Sequence, residues 1–291
     1  MNKKRILITG SGSYVGTNLI EWLSQWPDKF EIEEISVRGE EWKKKDFSKY
    51  DSVLHVAGIA HVSTDPKMEE QYYKVNRDLT IEVAKYAKSN GVNQFIFMSS
   101  IIVYGDSSSD KRVIDRNTIP KPSNFYGNSK LQAEEGLKTL EHENFKVAVI
   151  RPPMIYGKNS KGNYSILAKA AKVLPVFPDF DNERSMLHID NLSEFLRLML
   201  ENEERGLFFP QNREYVKTSE MVRGIAEVHG KKIRLTRIFN GILRLMISRI
   251  WILDKVFGNL NYDKSISGYK EDYRIREFKE SVIFTEKGRE K

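Results

Sequence analysis

Cysteine is missing from all 291 residues. That removes disulfide frameworks, thiolate zinc sites and cysteine nucleophiles together, and it makes a reducing cytoplasm the natural compartment. Long apolar runs are missing too. Ile6-Leu7-Ile8 follows a basic start, Met1-Asn2-Lys3-Lys4-Arg5, but the run is far too short for a signal peptide and passes into glycines, so it reads as a first strand. No internal repeat or low-complexity segment is present. The net charge of +7 comes from 47 basic residues scattered among 40 acidic ones. Without an aromatic-basic repeat, no nucleic-acid partner is expected, and an acidic small molecule such as a nucleotide or diphosphate explains the excess equally well.

What is present is enough apolar content, 40%, for one large domain or a domain carrying a smaller lobe. Short apolar runs predict strands near 5–9, 32–37, 52–56, 94–98 and 146–150, with helical patterns near 14–25, 69–89 and 125–141. Such alternation predicts an α/β fold, a doubly wound parallel sheet with helices on both faces. The stretch from Arg38 to Asp51 is too short for a full crossover helix. After residue 152 the pattern loosens into loops rich in Pro, Asn and Gly, as expected of a smaller C-terminal lobe over the sheet's carboxyl edge. The expected division is 1–152 with a strand and helix from 185–215 for the dinucleotide domain, and 153–184 with 216–291 for the substrate lobe. From Arg237 to Lys255 an amphipathic helix pattern puts Arg237, Asn240, Arg244, Ser248 and Lys255 on one face. It is too charged to span a membrane; packing on the small lobe is the favoured reading, over surface attachment to a membrane or partner.

Gly10, Gly12 and Gly16 lie between the first strand and first helix, in Gly10-Ser11-Gly12-Ser13-Tyr14-Val15-Gly16. Glycines there let the backbone approach a pyrophosphate at a helix N-terminus. Ser13 stands where a Gly-x-x-Gly-x-x-Gly pattern has its middle glycine. At the end of the second strand, where an acid would bind the adenosine ribose, the chain has Ser36-Val37-Arg38. Arg38 either accommodates a ribose phosphate, which favours NADP over NAD, or faces water as a strand-end residue.

After the strand near 94–98 comes Ser99-Ser100-Ile101-Ile102-Val103-Tyr104-Gly105, and Phe125-Tyr126-Gly127-Asn128-Ser129-Lys130 opens a helix. Tyr126 and Lys130, four apart, share a helix face. A free tyrosine titrates near pH ~10, and lowering that by ~3 units requires roughly 4 kcal/mol of differential stabilisation, which adjacent cations in a dry cleft can supply.

With these motifs in this order, the sequence resembles the extended short-chain dehydrogenase/reductase family, in its NAD-dependent epimerase/dehydratase branch, over about the whole chain. The resemblance implies a Rossmann-type sheet, an NAD(P) cofactor and a nucleotide-diphosphate sugar as substrate. It implies Tyr126 as catalytic acid/base and Lys130 as the residue that positions the nicotinamide ribose and lowers the tyrosine's pKa. Ser100 would hydrogen-bond the reacting oxygen. His55-Val56-Ala57-Gly58 looks like the fourth-strand end lining the cofactor through Ala57 and Gly58; Asp46 resembles the adenine-contacting acid and Asn76 the asparagine beside the site. Arg151-Pro152-Pro153-Met154 resembles the segment entering the substrate lobe, and Arg184-Ser185-Met186-Leu187-His188 the one whose arginine grips a diphosphate. Arg184 and Met154, with Ser100 and Tyr126, are the expected substrate contacts. His188 reads as a packed strand residue. No metal site is expected, and homodimers are common in the resembled family.

Two departures narrow the chemistry. In 4,6-dehydratases of this branch the two residues after the catalytic hydroxyl are acidic; here they are Ile101 and Ile102, so dehydration is not expected. Met154 replaces an asparagine of many sugar epimerases, and a thioether lacks its two-sided hydrogen bonding. The expected chemistry is therefore hydride transfer at a hexose ring carbon, by 4-epimerisation or 4-keto reduction. Rival readings are a reductase of a non-sugar ketone and a non-catalytic dinucleotide sensor.

Overall fold

A computed structural model describes residues 3–59, 65–107, 113–247 and 249–288. Met1, Asn2 and Ser248 of the patterns above lie outside them. In chain order the elements are β1 (Lys4–Thr9), α1 (Tyr14–Leu23), β2 (Phe30–Ile35), β3 (Ser52–His55), α2 (Glu69–Tyr72), α3 (Leu79–Ser89), β4 (Gln94–Met98), β5 (Val113–Ile114), α4 (Phe125–Lys138) and β6 (Lys146–Ile150). There follow β7 (Met154–Tyr156), α5 (Asn163–Val173), β8 (Val176–Pro178), β9 (Met186–His188), α6 (Ile189–Glu201), β10 (Gly206–Phe208), α7 (Thr218–Val228), β11 (Arg234–Thr236), α8 (Asn240–Ile247), α9 (Trp251–Phe257), β12 (Asn261–Tyr262) and α10 (Phe278–Lys287). They pack as two compact units. The first is Met1–Gly105, Ile119–Pro152 and Leu192–Phe209; the second is Asp106–Thr118, Pro153–Asn191 and Pro210–Lys291.

The first unit holds a six-stranded parallel sheet in the order β2-β1-β3-β4-β6-β10. Its central strands are near-continuous apolar runs, Ile6-Leu7-Ile8 and Phe95-Ile96-Phe97, all fully buried, as a sheet covered on both faces requires. Edge strand β2 carries Glu31, Glu33 and Glu34 instead, which blunts the edge against further pairing. One face packs Leu7, Val53, Phe95 and Val147 against Val83 and Ala87 of α3 and Ala133 and Leu137 of α4. Between β2 and β3 a crossover helix is replaced by two 3-10 turns, Glu41–Lys44 and Phe47–Lys49. Trp42 and Phe47 fill the helix's place, both edge-on to Tyr86 at 5.4 and 4.9 Å. Burying each such ring contributes about 1.5–3 kcal/mol.

β2 ends at Ile35, two residues before the expected boundary, where its partner β1 turns off at Gly10; the Ile35 carbonyl accepts from the Gly10 and Ser11 amides at 2.9 and 3.2 Å. Ser36-Val37-Arg38 therefore follow the strand. His55–Gly58 ends the third strand, not a fourth. β2 and β3 flank β1 on opposite sides, so the order reverses at β1, and ligands of such sheets bind outside the carboxyl ends at that point.

In the second unit β7 pairs with β9, β8 with β11 and β5 with β12, all parallel. Pairing with β7 brings residues 185–191, grouped by the sequence with the dinucleotide domain, into this unit, and β12 does the same for 113–114. The unit's core joins Leu167 and Ala171 of α5, Met221 and Ile225 of α7, and Val282 of α10. The single helix expected over 237–255 is two, α8 and α9. The Arg249 and Ile250 amides both return to the Met246 carbonyl, and Ile250 is extended, so the ladder stops there. Only part of α8 packs: Ile247 is buried and Leu243 rests on the core, while Ile242 and Leu245 are exposed.

Candidate active site

The glycine turn closes on the end of β3. Gly10 has φ +115°, and a Cβ on it would stand 2.8 Å from the Ala57 nitrogen, so only glycine fits. Ser13, in place of the usual glycine, caps α1: its Oγ accepts from the Gly16 amide at 3.1 Å. A Cβ on Gly16 would meet that Oγ at 2.7 Å, so cap and glycine are matched. Tyr14 and Val15 form the first turn of α1. Gly12, at φ +70°, has open space where a Cβ would be.

Ser100 ends β4's run and caps the 3-10 turn Ile101–Tyr104, its Oγ accepting from the Ile102 amide at 3.3 Å. Tyr126 lies in the first turn of α4, which Asn124 caps through the Gly127 amide at 2.9 Å. Gly127 lets these two turns meet, since a Cβ there would stand 2.7 Å from the Ile102 carbonyl oxygen. Burial pushes the Tyr126 phenol up, a side-chain hydrogen bond with Ser100 pulls it down, and Tyr72 adds a small upward push. Lys130, also buried, donates to the Met98 carbonyl at 2.9 Å and lies 4.6 Å over the Phe97 ring. Burial pushes its ammonium down to about 8, against the pull of Glu134. The phenol's ionisation here is thus set by burial and Ser100.

Asn76 is fully buried in a π-helical segment, Tyr73–Asp78, that interrupts the helix expected over 69–89. Its side chain brackets Ile59, accepting from the amide at 2.8 Å and donating to the carbonyl at 3.2 Å. It also donates to Ser129 Oγ at 3.2 Å, and Ser129 donates to the Tyr126 carbonyl at 2.8 Å. Asn128 donates to the Tyr73 hydroxyl at 2.7 Å and Arg77 to Gln132 at 2.8 Å, so the π segment grips the helix that carries Tyr126. A Cβ on Gly58 would stand 2.9 Å from Asn76 Oδ1 and 3.2 Å from Lys130 Nζ. Gly58, Asn76 and Lys130 therefore converge. Sequence periodicity gave no sign of the π segment.

Behind them, Glu134 accepts from Arg151 Nε and Nη2, and from the Ser99 hydroxyl, while Arg151 Nη1 donates to the Tyr104 hydroxyl at 2.7 Å. The network ties β4, the turn after it, α4 and the end of β6 together. His55, fully buried, bonds Thr9 at 2.7 Å and Thr80 at 3.0 Å; burial pushes it down to about 3, so it is neutral.

Glu34 is a residue the sequence reading passed over. Its carboxylate accepts from Ser11 Oγ at 2.8 Å and from the Gly12 amide at 3.4 Å. An acid one residue before the strand's end was the available signal. Arg38 is exposed. Asp46 caps the turn at Phe47–Lys49, accepting from the Ser48 amide at 3.0 Å and hydroxyl at 2.6 Å, which hold its carboxyl below the usual range.

In the second unit, a small cavity is lined by Met154, Leu167, Arg184, Met186, Lys255 and Val256, among others. Arg184 Nη1 donates to the Lys255 and Gly258 carbonyls at 2.9 and 3.0 Å, and burial pushes the guanidinium down to about 10. Lys255, read from sequence only as one residue of an amphipathic face, joins Arg184 and Met154 here. His188 is buried in β9, edge-on to Tyr156 at 5.3 Å.

Residues 6–209 match the NAD dependent epimerase/dehydratase family. The chain belongs to that family. It is an NAD(P)-dependent enzyme of the extended short-chain dehydrogenase type, as the motifs implied. A UDP-glucose 4-epimerase of Vibrio cholerae is 29% identical over 96% of this chain and 94% of its own. An N-acetyl-alpha-D-glucosaminyl-diphospho-ditrans,octacis-undecaprenol 4-epimerase of Escherichia coli O157:H7 is 32% identical over 69% of this chain, and the match spans 64% of that relative. Among solved structures, a dTDP-4-dehydrorhamnose reductase of Clostridium acetobutylicum has the same fold, with TM-score 0.74 and 16% identity, covering 97% of this chain and 98% of that one. Among the described residues of this family member, no helix is long and apolar enough to cross a membrane.

Proposed function

We propose that the enzyme transfers a hydride at carbon 4 of a nucleotide-diphosphate hexose, a UDP-sugar, by 4-epimerisation or 4-keto reduction. The observation that carries this is the buried Tyr126 phenol hydrogen-bonded to Ser100, with Gly58, Asn76 and Lys130 converging beside β3. Tyr126 moves the proton of the sugar hydroxyl and Ser100 holds the same oxygen. Ile101 and Ile102 offer no acid or base for elimination, which speaks against dehydration.

The chain's own cradle fits a dinucleotide. Gly10 lets the glycine turn close on Ala57, Gly58 lets the end of β3 close on Asn76 and Lys130, and Gly12 leaves open space before the capped N-terminus of α1. Gly10, Gly12, Ser13, Tyr14, Val15 and Gly16 would hold its pyrophosphate, and Ala57, Gly58, Asn76 and Lys130 its nicotinamide half. When bound, it supplies the site's hydride acceptor or donor. Arg38 supports NADP(H) over NAD(H), and Glu34 on the glycine turn limits that preference. Asp46 is the proposed adenine contact.

Arg184 and Lys255 beside Met154 supply two cations at one cavity, which supports a diphosphate as the substrate's anionic part. A second reading puts the diphosphate on a polyprenol, as in the Escherichia coli relative; the exposed apolar and basic face of α8 favours it. Proton NMR of the purified protein decides the chemistry. With UDP-glucose or UDP-N-acetylglucosamine and no added reductant, interconversion of the 4-epimers is expected for an epimerase. Consumption of NADPH with a UDP-4-ketohexose is expected for a reductase. Turnover of simple ketones but neither sugar class would overturn the proposal.

A further inference from the structure

Around α8 the surface is apolar where water should be met by polar groups. Ile238 is 84% exposed, Ile242 62% and Leu245 70%, and Phe239, Met246 and Ile250 are exposed as well. Their spacing, 238, 239, 242, 245, 246, follows the helical period and makes one continuous stripe. The opposite face, Leu243 and Ile247, packs on the core of the second unit. A helix apolar on both sides belongs in an interior, and an exposed stripe of this kind marks a surface that meets another apolar phase.

Charge identifies that phase. From Arg237 to Leu253 the sequence has three arginines and no acidic residue. Arg237 is paired with Asp179 at 3.0 Å, while Arg244 and Arg249 are exposed alongside the stripe. A short helix with a large apolar side and two exposed arginines beside it, Arg244 and Arg249, matches an anionic lipid surface, where aliphatic side chains enter the acyl boundary and arginines stay among the headgroups. We propose that the second unit docks peripherally on anionic membranes through α8 and its flanking turns, with Ile238, Ile242 and Leu245 inserting and Arg244 and Arg249 meeting lipid phosphates. This goes beyond the proposed reaction and does not depend on which sugar is used.

The test is co-sedimentation of the full chain with vesicles of phosphatidylglycerol and phosphatidylcholine, and of phosphatidylcholine alone, without nucleotide or sugar. Binding to the anionic vesicles is expected to be at least ~5-fold tighter, and to weaken as salt rises from about 0.05 to 0.5 M. Ile242→Asp with Leu245→Asp should abolish it, and Arg244→Glu with Arg249→Glu should remove the preference for anionic lipid. All four side chains are exposed, and unchanged thermal melting of each variant checks that folding is intact. No sedimentation of the wild type, or aspartate variants that still sediment, would overturn the proposal. Analytical ultracentrifugation covers the other occupant: a wild-type dimer that Ile242→Asp with Leu245→Asp converts to monomer, with no wild-type lipid binding, would make this face a contact between copies and overturn it equally.

Discussion

Arg151 and Glu134 form a two-pronged ion pair inside the first unit, Nε and Nη2 of one against the carboxylate of the other at 2.5–3.1 Å, both almost fully buried. Ser99 and Tyr104 complete the arrangement, so neither charge rests on its partner alone. Removing one member leaves the other charged and unpaired in the interior. Glu134→Gln is therefore expected to lower unfolding stability by about 3–5 kcal/mol in urea titrations. A variant within 1 kcal/mol of the wild type would show that the pair is replaced by other groups.

Gly127→Ala puts a methyl 2.7 Å from the Ile102 carbonyl oxygen, a backbone atom that has no rotamer to escape through. The start of α4 must then move off the turn that carries Ser100. We expect a loss of roughly 1–3 kcal/mol in stability and a fall in turnover larger than any fall in dinucleotide affinity. Wild-type turnover in this variant would mean that the two turns do not need their observed spacing.

Tyr126→Phe deletes one hydroxyl and leaves the ring's contact with Tyr72 in place. Turnover is expected to drop about a hundredfold or more, the scale of lost acid/base catalysis, with melting temperature and dinucleotide affinity retained. Steady-state rates beside fluorescence titration with NADH measure both; wild-type rates would remove Tyr126 from the acid/base role.

Arg184→Ala should weaken UDP binding by about 1.5–3 kcal/mol, the size of a charge-assisted phosphate contact, and leave dinucleotide affinity unchanged in calorimetry. Equal losses for both ligands would instead report the loss of Arg184's two bonds to the Lys255 and Gly258 carbonyls.

Under the proposed function, Arg38 and Glu34 are expected to pull the dinucleotide preference in opposite directions. A 2′-phosphate would meet a cation at Arg38 and an anion at Glu34. NADPH is expected to bind more tightly than NADH, Glu34→Gln to widen the difference and Arg38→Asp to reverse it. Titrations in which NADH binds better in the wild type would retire the arginine argument and leave epimerisation the better supported reaction.

The sheet was legible because its inner strands, β1, β3, β4 and β6, are short apolar runs buried on both faces, and helices separate most of them. Ser100, Tyr126 and Lys130 could be singled out because their spacing repeats a family order; their roles belong to the proposed function. What could not be read has local causes. β2 stops at Ile35 where its partner β1 turns off at Gly10, and no propensity of Ser36 or Val37 foretells that. The 237–255 pattern keeps helical periodicity through a break that hydrogen bonds at Met246 impose. Glu34 lies inside the strand, ahead of the Ser36-Val37-Arg38 that follow it, and Lys255 was one residue among five on an amphipathic face.

The π-helical segment at Tyr73–Asp78 fixes something that substitutions would not reveal. Each residue of a helix turns it by ~100°, and a π segment accommodates one more residue than the α-helical ladder does. Deleting a single residue between Tyr73 and Asp78 would let the ladder close as an uninterrupted α-helix, a local gain. It would also rotate α3 against α2 by about that angle, taking Asn76 away from Ile59 and Ser129 or Thr80 away from His55. The chain's reading frame through this helix is therefore held by the site it faces, and descendants of this sequence should change residues here far more readily than they change its length.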